Sequence, residues 1–448
     1  KYLARTVEIE LGQRLQAVRY FTLIIDSGTL STGDHVQIHF FKYRCPVSNK
    51  AVIKYGGMDQ VHGSANADNL FNIARNRMTN ILAIQAWEDK MICLSLDGTN
   101  VNIGQNHSIC TLFTDICNNP LLKSWCQPHR LHLAVKAWAE VDPAFAELKS
   151  LAEGIFNLLR WPSHFSGLEA AANSYDPPVR VVKVSRPDGA HWISYTCKCY
   201  EKIVQNYQPL VLWLDQLDIN RALAMIDNPQ REWLLRATHY KRKLLSYKWL
   251  LLLFAFMDVL TVLSTLCSKL QKSTLMLPDT HAYFNTALRV LRGWRNHLGP
   301  NQWPRRAGDF LRSLQIQEQG IVIRYMGHTL THGDVQAEKR QVKDAFNRLL
   351  DATAQNIADR FSNGQLNHNM VVHMKACSFK DMTPPPQLGD PPCTWGNRNI
   401  LAWCQHMYPG DARVTGQQLG GELLVHWNAF KLQAYPLRQN PPLEVLER

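Results

Sequence analysis

Short apolar runs rich in β-branched and aromatic residues recur through the first 130 residues, and each is typical of a buried or half-buried β-strand. The first three follow one another through short turns that contain glycine, proline or asparagine, which predicts an antiparallel meander. The five predicted strands are Tyr20–Ile25, Val36–Tyr43, Ala51–Tyr55, Met91–Leu96 and Leu122–Cys126.

Apolar residues at helical spacing fill most of the remaining chain. The first long helix after the meander is expected to have Ser64 as its N-cap, and a later helix is expected to begin at His129, after Pro128 has ended the last strand. The stretches predicted to be helical are 64–90, 107–117, 129–141, 142–175 and nearly all of 200–375. The pattern therefore predicts an α/β region followed by a large all-α region.

These patterns divide the chain into four segments. The predicted segments are an N-terminal helix remnant at 1–19, an α/β core at 20–205, a helical domain at 206–375, and a Pro-containing linker with a truncated C-terminal segment at 376–448. Within the last segment, Thr383–Pro392 has the composition of a linker, and Asn397–Tyr408 and Gln417–Phe430 are predicted to be short helices.

Hydropathy and cysteine content indicate the compartment. The longest uninterrupted apolar run, Trp249–Met257, is far shorter than the roughly 20 residues that a membrane span needs. It is predicted to be a buried helix, and no membrane partner is expected. The 11 cysteines form no regular framework, and an odd number in a long chain favours reduced thiols in an intracellular setting.

The charge of the chain favours an anionic partner. The formal net charge is +12 and the pI is about 9.2, and nucleic acid is the commonest partner of such proteins. Basic residues form two clusters in the helical region, near Trp249, Trp294 and Trp303. Each cluster is either a surface that contacts phosphates or simply a solvated helix face. The clusters are Arg236, Lys241, Arg242, Lys243 and Lys248, and then Arg289, Arg292, Arg295, Arg305 and Arg306.

Two acidic residues come directly after predicted strands. Asp26 follows Tyr20–Ile25, and Asp97 follows Met91–Leu96. If the two strands are neighbours, the carboxylates converge at one edge of the sheet and repel each other unless a divalent cation joins them. Mg²⁺ and Mn²⁺ prefer oxygen ligands and leave room for a phosphate. The alternative is that both aspartates only cap the loops that follow the strands.

A third group of polar residues lies where the last strand turns into a helix. Cys126, His129 and His132 are spaced by three, so the two histidines share one helix face. The array has the residue types of a zinc site but lacks a matching second pair of ligands nearby. The other interpretations are that His129 supports the acidic site or faces a phosphate, or that both histidines are ordinary helix residues.

Four segments, in this order, resemble the motifs of hAT superfamily DNA transposases and their domesticated relatives. They are LIIDSGT ending at Thr29, LSLDGTNVNIG ending at Gly104, WCQPHRLHL ending at Leu133 and HWIS ending at Ser194. A later segment, Phe256–Gln271, resembles the helical insertion of vertebrate hAT-derived proteins. The resemblance covers about 20–375 and implies an α/β fold: an RNase H-like mixed five-stranded sheet (20–205) with a large all-α insertion domain (206–375).

The resemblance also implies an activity, metal-dependent DNA strand cleavage and strand transfer in the nucleus. Asp26 and Asp97 match the first two acids of a triad that binds Mg²⁺ or Mn²⁺, and His129 matches a histidine beside that site. Trp192 matches a tryptophan that stacks on a displaced base. The residues then expected to hold DNA are Trp192, Lys241, Arg242, Lys243, Arg305 and Arg306. Homo-oligomerisation is expected through a C-terminal segment that this chain lacks.

The chain departs from the family pattern in three ways. His191 stands where the family has an arginine. The third acid, a glutamate in an E-R-x-F-S segment, has no clear match, and Glu447, Glu422 and Glu201 are the candidates. The BED-type zinc finger common in the family is also missing. The alternatives are therefore a domesticated, non-catalytic nuclear protein that binds DNA or protein partners, and an RNase H-like nuclease acting on RNA or hybrids.

Overall fold

The computed structural model of the protein divides into two compact units. Unit 1 comprises 1–130, 272–282 and 361–448, and unit 2 comprises 131–271 and 283–360. The described residues are 2–30, 32–48, 50–119, 121–135, 141–187, 192–223, 231–272, 277–317, 322–362, 398, 400–402 and 427. The predicted linker Thr383–Pro392, and nearly all of the short helices predicted after it, lie outside them. The segment boundaries proposed from the sequence stay predictions.

Unit 1 is built around a five-stranded mixed sheet. Its elements are α1 (Tyr2–Ala17), β1 (Phe21–Thr29), β2 (His35–Arg44), β3 (Ala51–Gln60), α2 (Ala67–Asn76), β4 (Met91–Leu96), α3 (Asn100–Ile103), α4 (Ile109–Ile116), β5 (Leu122–Trp125) and the first half of α5 (Gln127–Val135). The strand order is β3-β2-β1-β4-β5. β1 pairs antiparallel with β2 and β2 with β3, whereas β1–β4 and β4–β5 are parallel. The predicted α/β class with a mixed five-stranded sheet is confirmed.

Alternation along the strands puts the hydrophobic core of unit 1 on one face of this sheet. Phe21, Leu23 and Ile25 of β1 point into the core, as do Leu94 and Leu96 of β4. Apolar residues of α1, α2 and α4 cover that face, among them Leu11, Leu15, Leu70, Phe71, Ile109 and Phe113. The polar residues that alternate with the core positions therefore lie on the opposite face.

The first strand is longer than predicted. The apolar run ends at Ile25, but β1 continues to Thr29 because β2 pairs with it along its whole length, to the pair Thr29–His35. The parallel partner β4 ends earlier, at Leu96. Asp26 therefore lies within β1, in the part that extends beyond β4, and does not follow the strand as predicted.

Two helix starts also differ from the prediction. The N-cap of α2 is Asn66, whose side chain accepts a hydrogen bond from the Asn69 N–H at 2.9 Å, and Ser64 lies outside the helix. The region predicted as one helix over 64–90 breaks into α2, a π turn and a short 3₁₀ turn. α5 begins at Gln127 and not at His129, because proline is tolerated in the first turn of a helix.

Unit 2 is mainly helical. Its elements are α6 (Pro143–Leu159), α7 (Pro162–Asn173), α8 (Trp192–Gln205), α9 (Tyr207–Leu223), α10 (Arg231–Leu244), α11 (Tyr247–Leu270), most of α12 (Leu277–His297), α13 (Arg305–Ser313), β6 (Gln315–Gln317), β7 (Val322–Tyr325), β8 (His328–Thr329) and most of α14 (Val335–Ser362). The three-stranded antiparallel sheet β6-β7-β8 interrupts the region predicted as nearly all helix. Strands of two to four residues are too short to show a period of two in the sequence.

The central helix of unit 2 is α11. It is long and apolar enough to cross a membrane by composition alone, with a mean hydropathy of 2.3 over its most apolar 18-residue window, but 78% of that window is buried within the protein. Leu250 to Leu260 are all buried, so the predicted buried helix at Trp249–Met257 is confirmed. The one acid among them, Asp258, accepts hydrogen bonds from the backbone N–H groups of Arg306 and Ala307 at the start of α13.

Candidate functional site: an acidic pair at the sheet edge

The register between β1 and β4 puts Asp26 and Asp97 at the same level of the sheet. The last parallel pair is Ile24 with Ser95, and each aspartate lies two residues further along its chain. Neighbouring strands lie about 4.8 Å apart. The two aspartates therefore lie at the same level of the sheet, beside the carboxyl end of β4, although they are 71 positions apart in the sequence.

The two aspartates also lie on the same face. Thr22 and Ile24 alternate with the buried residues of β1, and Asp26 continues their series. Cys93 and Ser95 pair with these two residues, and Asp97, the residue directly after β4, lies two positions beyond Ser95. Both carboxylates are thus carried on the face opposite the hydrophobic core, with Asp26 exposed and Asp97 half-buried.

The loop after β4 fixes the orientation of Asp97. Its Oδ1 atom accepts hydrogen bonds from the Thr99 N–H at 3.0 Å, the Thr99 hydroxyl at 2.8 Å and the Asn102 side-chain amide at 2.6 Å. Thr99 is also the N-cap residue of α3, and Asn102 lies buried within that helix. Hydrogen bonds to a carboxylate are among the stronger ones in proteins, so Asp97 is held in one orientation.

Asp26 is less constrained. Its Oδ1 atom accepts a hydrogen bond from the N–H of Ser27 at 2.9 Å. Among the described residues, the Oδ2 atoms of Asp26 and Asp97 accept no hydrogen bond. Each carboxylate therefore keeps one oxygen available for a ligand, while the other is held by its own loop or strand.

The loop that carries Asp97 packs against the side chain of Trp125, which in turn packs against Arg130. A Cβ atom on Gly98 would collide with the indole ring of Trp125 at the end of β5. The Arg130 guanidinium lies over the same indole, 4.9 Å from the ring centroid, and its side chain is buried. Gly98 is thus required by the close approach of Trp125, and the loop after β4 is tied to the first turns of α5.

The position of His129 near this edge is set by β5, the strand that precedes α5. β5 is parallel to β4, with Leu96 paired to Trp125, and the N–H of Cys126 donates to the Leu96 carbonyl at 2.8 Å. α5 therefore begins at the level of Asp97, and His129 lies in its first turn as a half-buried side chain. Three of the predicted catalytic positions are consequently carried by adjoining parts of unit 1.

The donor set fits a hard cation with several water or phosphate ligands. Mg²⁺ is commonly bound by one or two carboxylates, with water and substrate phosphates completing its shell. Asp26 and Asp97 supply two carboxylates of this kind. The described residues contain no group of three or more His, Cys, Asp or Glu side chains that could hold a metal ion, so within them neither a third acid nor the Cys126, His129 and His132 array forms a metal site.

The candidates for the third acid fall elsewhere. Glu201 lies in unit 2, where it pairs with Arg306 at 2.5 Å. Glu422 and Glu447 lie outside the described residues. The assignment of a third acid therefore stays a prediction.

The residues predicted to hold DNA lie in unit 2. α8 begins at Trp192, and the side chain of Trp192, like the whole of His191, lies outside the described part of the structure. Three of the five basic candidates form short ion pairs: Lys241 with Asp215 at 2.5 Å, Lys243 with Glu147 at 2.6 Å, and Arg306 with Glu201.

The other two basic candidates are more available. Arg242 is exposed on α10, next to the paired Lys241 and Lys243. The Arg305 side chain is 91% exposed at the start of α13, and its ion pair with Asp309 is long, at 3.8 Å. These two cations are the ones best placed to meet an anionic partner from solution.

Sequence reasoning identified the two aspartates but missed the residues that hold them. Thr99 and Asn102 were quoted only as part of a motif, although their distance from Asp97 suits a loop in which a carboxylate caps the next backbone turn. Trp125 and Arg130 belong to the segment WCQPHRLHL, but nothing in that segment indicates that Trp125 packs against Gly98 or that Arg130 packs against Trp125. No protein-family model matches this chain, and no curated protein matches it.

Proposed function

We propose that unit 1 is an RNase H-like domain and that the chain is a hAT-like DNA transposase or a descendant of one, acting in the nucleus on DNA. The observation that carries this proposal is the shared register and face of Asp26 and Asp97 on adjoining parallel strands. The strand order β3-β2-β1-β4-β5, with its antiparallel meander and two parallel additions, supports the RNase H-like assignment.

In this proposal the two aspartates and His129 have different roles in DNA cleavage. Asp26 and Asp97 would hold Mg²⁺ or Mn²⁺ through their available carboxylate oxygens. A bound divalent ion supplies activation of water or of a 3′-hydroxyl and stabilisation of charge on the phosphoryl oxygens. The loop contacts of Asp97 keep its carboxylate oriented without further rearrangement. His129, in the first turn of α5, would orient the phosphate or its attacking group beside the acids.

The basic surface of unit 2 would hold the DNA backbone. Phosphate contacts position a duplex without reading its sequence, and Arg242 and Arg305 are the exposed cations among the predicted set. Trp192 would stack on a displaced base, as the family resemblance implies. We also propose that the protein forms a homo-oligomer, as the family resemblance implies.

Mn²⁺ binding, measured by isothermal titration calorimetry, tests the acidic pair. The parent chain should bind Mn²⁺, and Asp26→Asn and Asp97→Asn should each weaken that binding at least tenfold, because each removes one of two carboxylate ligands. Asp115→Asn is the matched control, since Asp115 is an exposed acid on α4 of the same unit and should bind Mn²⁺ like the parent.

Equal Mn²⁺ affinity in the parent and in Asp97→Asn would remove the basis for a metal site at this edge. A parent that binds Mn²⁺ should then be assayed for nicking of a labelled DNA duplex, with and without Mn²⁺. Cleavage that Asp97→Asn abolishes would support the transposase proposal.

A second candidate function is a non-catalytic DNA- or protein-binding role. The observation that favours it is that, among the described residues, no third acid joins the pair. In this case the double variant Asp26→Asn, Asp97→Asn should bind duplex DNA in EDTA with the same affinity as the parent, and neither should cleave it. Cleavage by the parent chain would exclude this candidate.

A further inference from the structure

A groove in unit 2 combines exposed aromatic rings with positive charge. It has a volume of about 940 Å³ and lies between α6, the start of α7 and α10. This is within the range of about 300–1,000 Å³ typical of ligand sites. Its chemistry is carried by Arg160, Trp161, His164, Trp233, Arg236 and His239.

Trp161 presents the most accessible ring of this groove. It is 54% exposed, which makes it the only exposed tryptophan among the described residues, since others such as Trp213 are buried. It is the N-cap residue of α7, where no side-chain hydrogen bond caps the helix. The Arg160 guanidinium lies over this ring, 5.2 Å from its centroid.

The opposite part of the groove is held rigid by packing. His164 lies against Trp233, with ring centroids 4.9 Å apart and planes inclined by 33°, and also contacts Trp213. His164 Nδ1 donates to the Leu158 carbonyl at 2.9 Å, which leaves Nε2 as an acceptor in the neutral ring. The Nε2 atom of His164 is therefore an acceptor next to the packed ring of Trp233.

The charges around the groove favour an anion. Arg160 and Arg236 contribute two positive charges from different elements, and the one acidic residue of the lining, Glu153, is paired with Lys149 at 3.7 Å. An aromatic cage for a cationic ligand such as a methylated lysine would instead need a lining without these arginines. A ligand with a flat aromatic part and a negative charge fits both features.

We propose that this groove binds an unpaired nucleobase together with its phosphate, with the base stacked on Trp161 and the phosphate held by Arg160 and Arg236. Stacking on an exposed indole is tolerant of base identity, so the groove would accept single-stranded nucleic acid without strong sequence preference. The proposal goes beyond the acidic pair and needs no metal.

The test is fluorescence anisotropy with two labelled probes in EDTA, an eight-nucleotide thymidine strand and an abasic strand of the same length and charge. The parent should bind the thymidine strand about tenfold more tightly, because base stacking is absent from the abasic probe. Trp161→Leu should lose this preference, whereas Trp161→Phe, which retains a ring, should keep most of it.

Charge variants separate the groove from general DNA binding. Arg160→Gln should weaken binding of both probes and reduce the slope of log affinity against log salt by about 1. Arg340→Gln is the matched control, because Arg340 is an exposed arginine of α14 in the same unit but does not line the groove. Unchanged thermal unfolding midpoints would show that the variants are folded.

Competition with thymidine 5′-monophosphate identifies the source of the ligand. If the mononucleotide displaces the labelled strand at a concentration similar to that of an unlabelled strand, the groove is a free-nucleotide site. If only longer strands displace it, the ligand is single-stranded nucleic acid. Both outcomes support the proposal. Equal affinity of the parent for the two probes would overturn it, as would binding of a trimethyl-lysine peptide in preference to either. Because no Mn²⁺ is present, failure here leaves the acidic pair untouched.

Discussion

At the scale of single residues, unit 1 contains a buried polar cluster distinct from the acidic pair. The Arg77 guanidinium donates to Asp59 at 2.8 Å, to Glu8 at 2.7 Å and to the Gly56 carbonyl at 3.2 Å. Gly57 has φ +127°, and a Cβ atom there would collide with this guanidinium. The cluster joins α1 to β3, and breaking a buried ion pair of this kind typically costs about 3–5 kcal/mol.

His39 lies in the same cluster and predicts a pH dependence of stability. Burial lowers the pKa of His39 to about 4, despite the opposite effect of nearby Asp59. The unfolded chain gains a proton near pH 6.5 and the folded chain only near 4, so stability should fall as the pH drops through this window, by at most about 3 kcal/mol. Urea unfolding between pH 4 and 7 measures this.

The control for this prediction removes the histidine. His39→Gln should flatten the dependence between pH 4 and 6.5 relative to the parent, because Gln does not titrate. His107→Gln, at an exposed histidine paired with Asp68, should leave the dependence unchanged. If the parent and His39→Gln lose stability in parallel across this range, His39 does not carry the effect.

At the scale of elements, one helix of unit 2 is capped by a residue distant in the sequence, whereas other helices of both units are capped locally, as α6 is by Asp142. α2 and α4 are capped locally, by Asn66 and Ser108. The N-terminus of α13 is instead capped by a residue 48 positions earlier, Asp258 of α11, which accepts from the N–H groups of Arg306 and Ala307 at 2.9 and 3.0 Å. A buried acid inside an apolar helix is thereby satisfied, and α13 is anchored to α11.

Removing this long-range cap should destabilise the protein. Asp258→Ala leaves two buried N–H groups without an acceptor and should cost about 2 kcal/mol in urea unfolding. Burial raises the pKa of Asp258, so its charge is costly there. Asp258→Asn removes the charge and keeps one acceptor oxygen, but its NH2 group would face the second N–H, so it should recover only part of the loss of the alanine variant. Asp309→Ala, at an exposed acid on α13, is the control and should change stability by under about 0.5 kcal/mol.

Comparable losses in Asp258→Asn and Asp258→Ala would show that a single acceptor oxygen is not enough at the start of α13 and that both carboxylate oxygens are needed. A loss in Asp309→Ala equal to that of Asp258→Ala would show that α13 is sensitive throughout its length and not through its cap.

At the scale of the whole molecule, the net charge of +12 is not evenly available. Lys241, Lys243 and Arg306 are paired with acids, and Lys243 also lies over the Trp249 ring at 3.8 Å. Paired cations gain less from a phosphate, because binding must first break the existing pair. The number of cations available to an anionic partner is therefore smaller than the basic composition alone indicates.

The salt dependence of duplex DNA binding should reflect this difference. Arg242→Gln and Arg305→Gln should each reduce the slope of log affinity against log salt by about 1, because each removes one phosphate contact. Lys241→Gln should change the slope by much less. Binding measured by anisotropy from 50 to 200 mM salt gives the slopes, and equal reductions for Lys241→Gln and Arg242→Gln would contradict the argument.

The acidic site could be predicted in part from the sequence. Asp26 and Asp97 stood out because each follows an apolar run, and the strand Met91–Leu96 has the predicted bounds. Gly98, Trp125 and Arg130 did not stand out, because their contact joins residues from three elements. The short strands β6 to β8 were missed because strands of two to four residues are too short to show an alternation of apolar and polar positions.

The sequence by itself determined most of the local elements and, through them, the α/β class, because these depend on neighbours within one or two turns or strand repeats. It also determined the net charge and the two aspartates, which are read from composition and from their place after apolar runs. Only the tertiary structure decided that β1 and β4 are adjoining and parallel, that Asp26 lies within its strand, and which lysines and arginines are paired with acids. Strand register and ion pairing depend on contacts between residues tens of positions apart, and no local periodicity encodes those contacts.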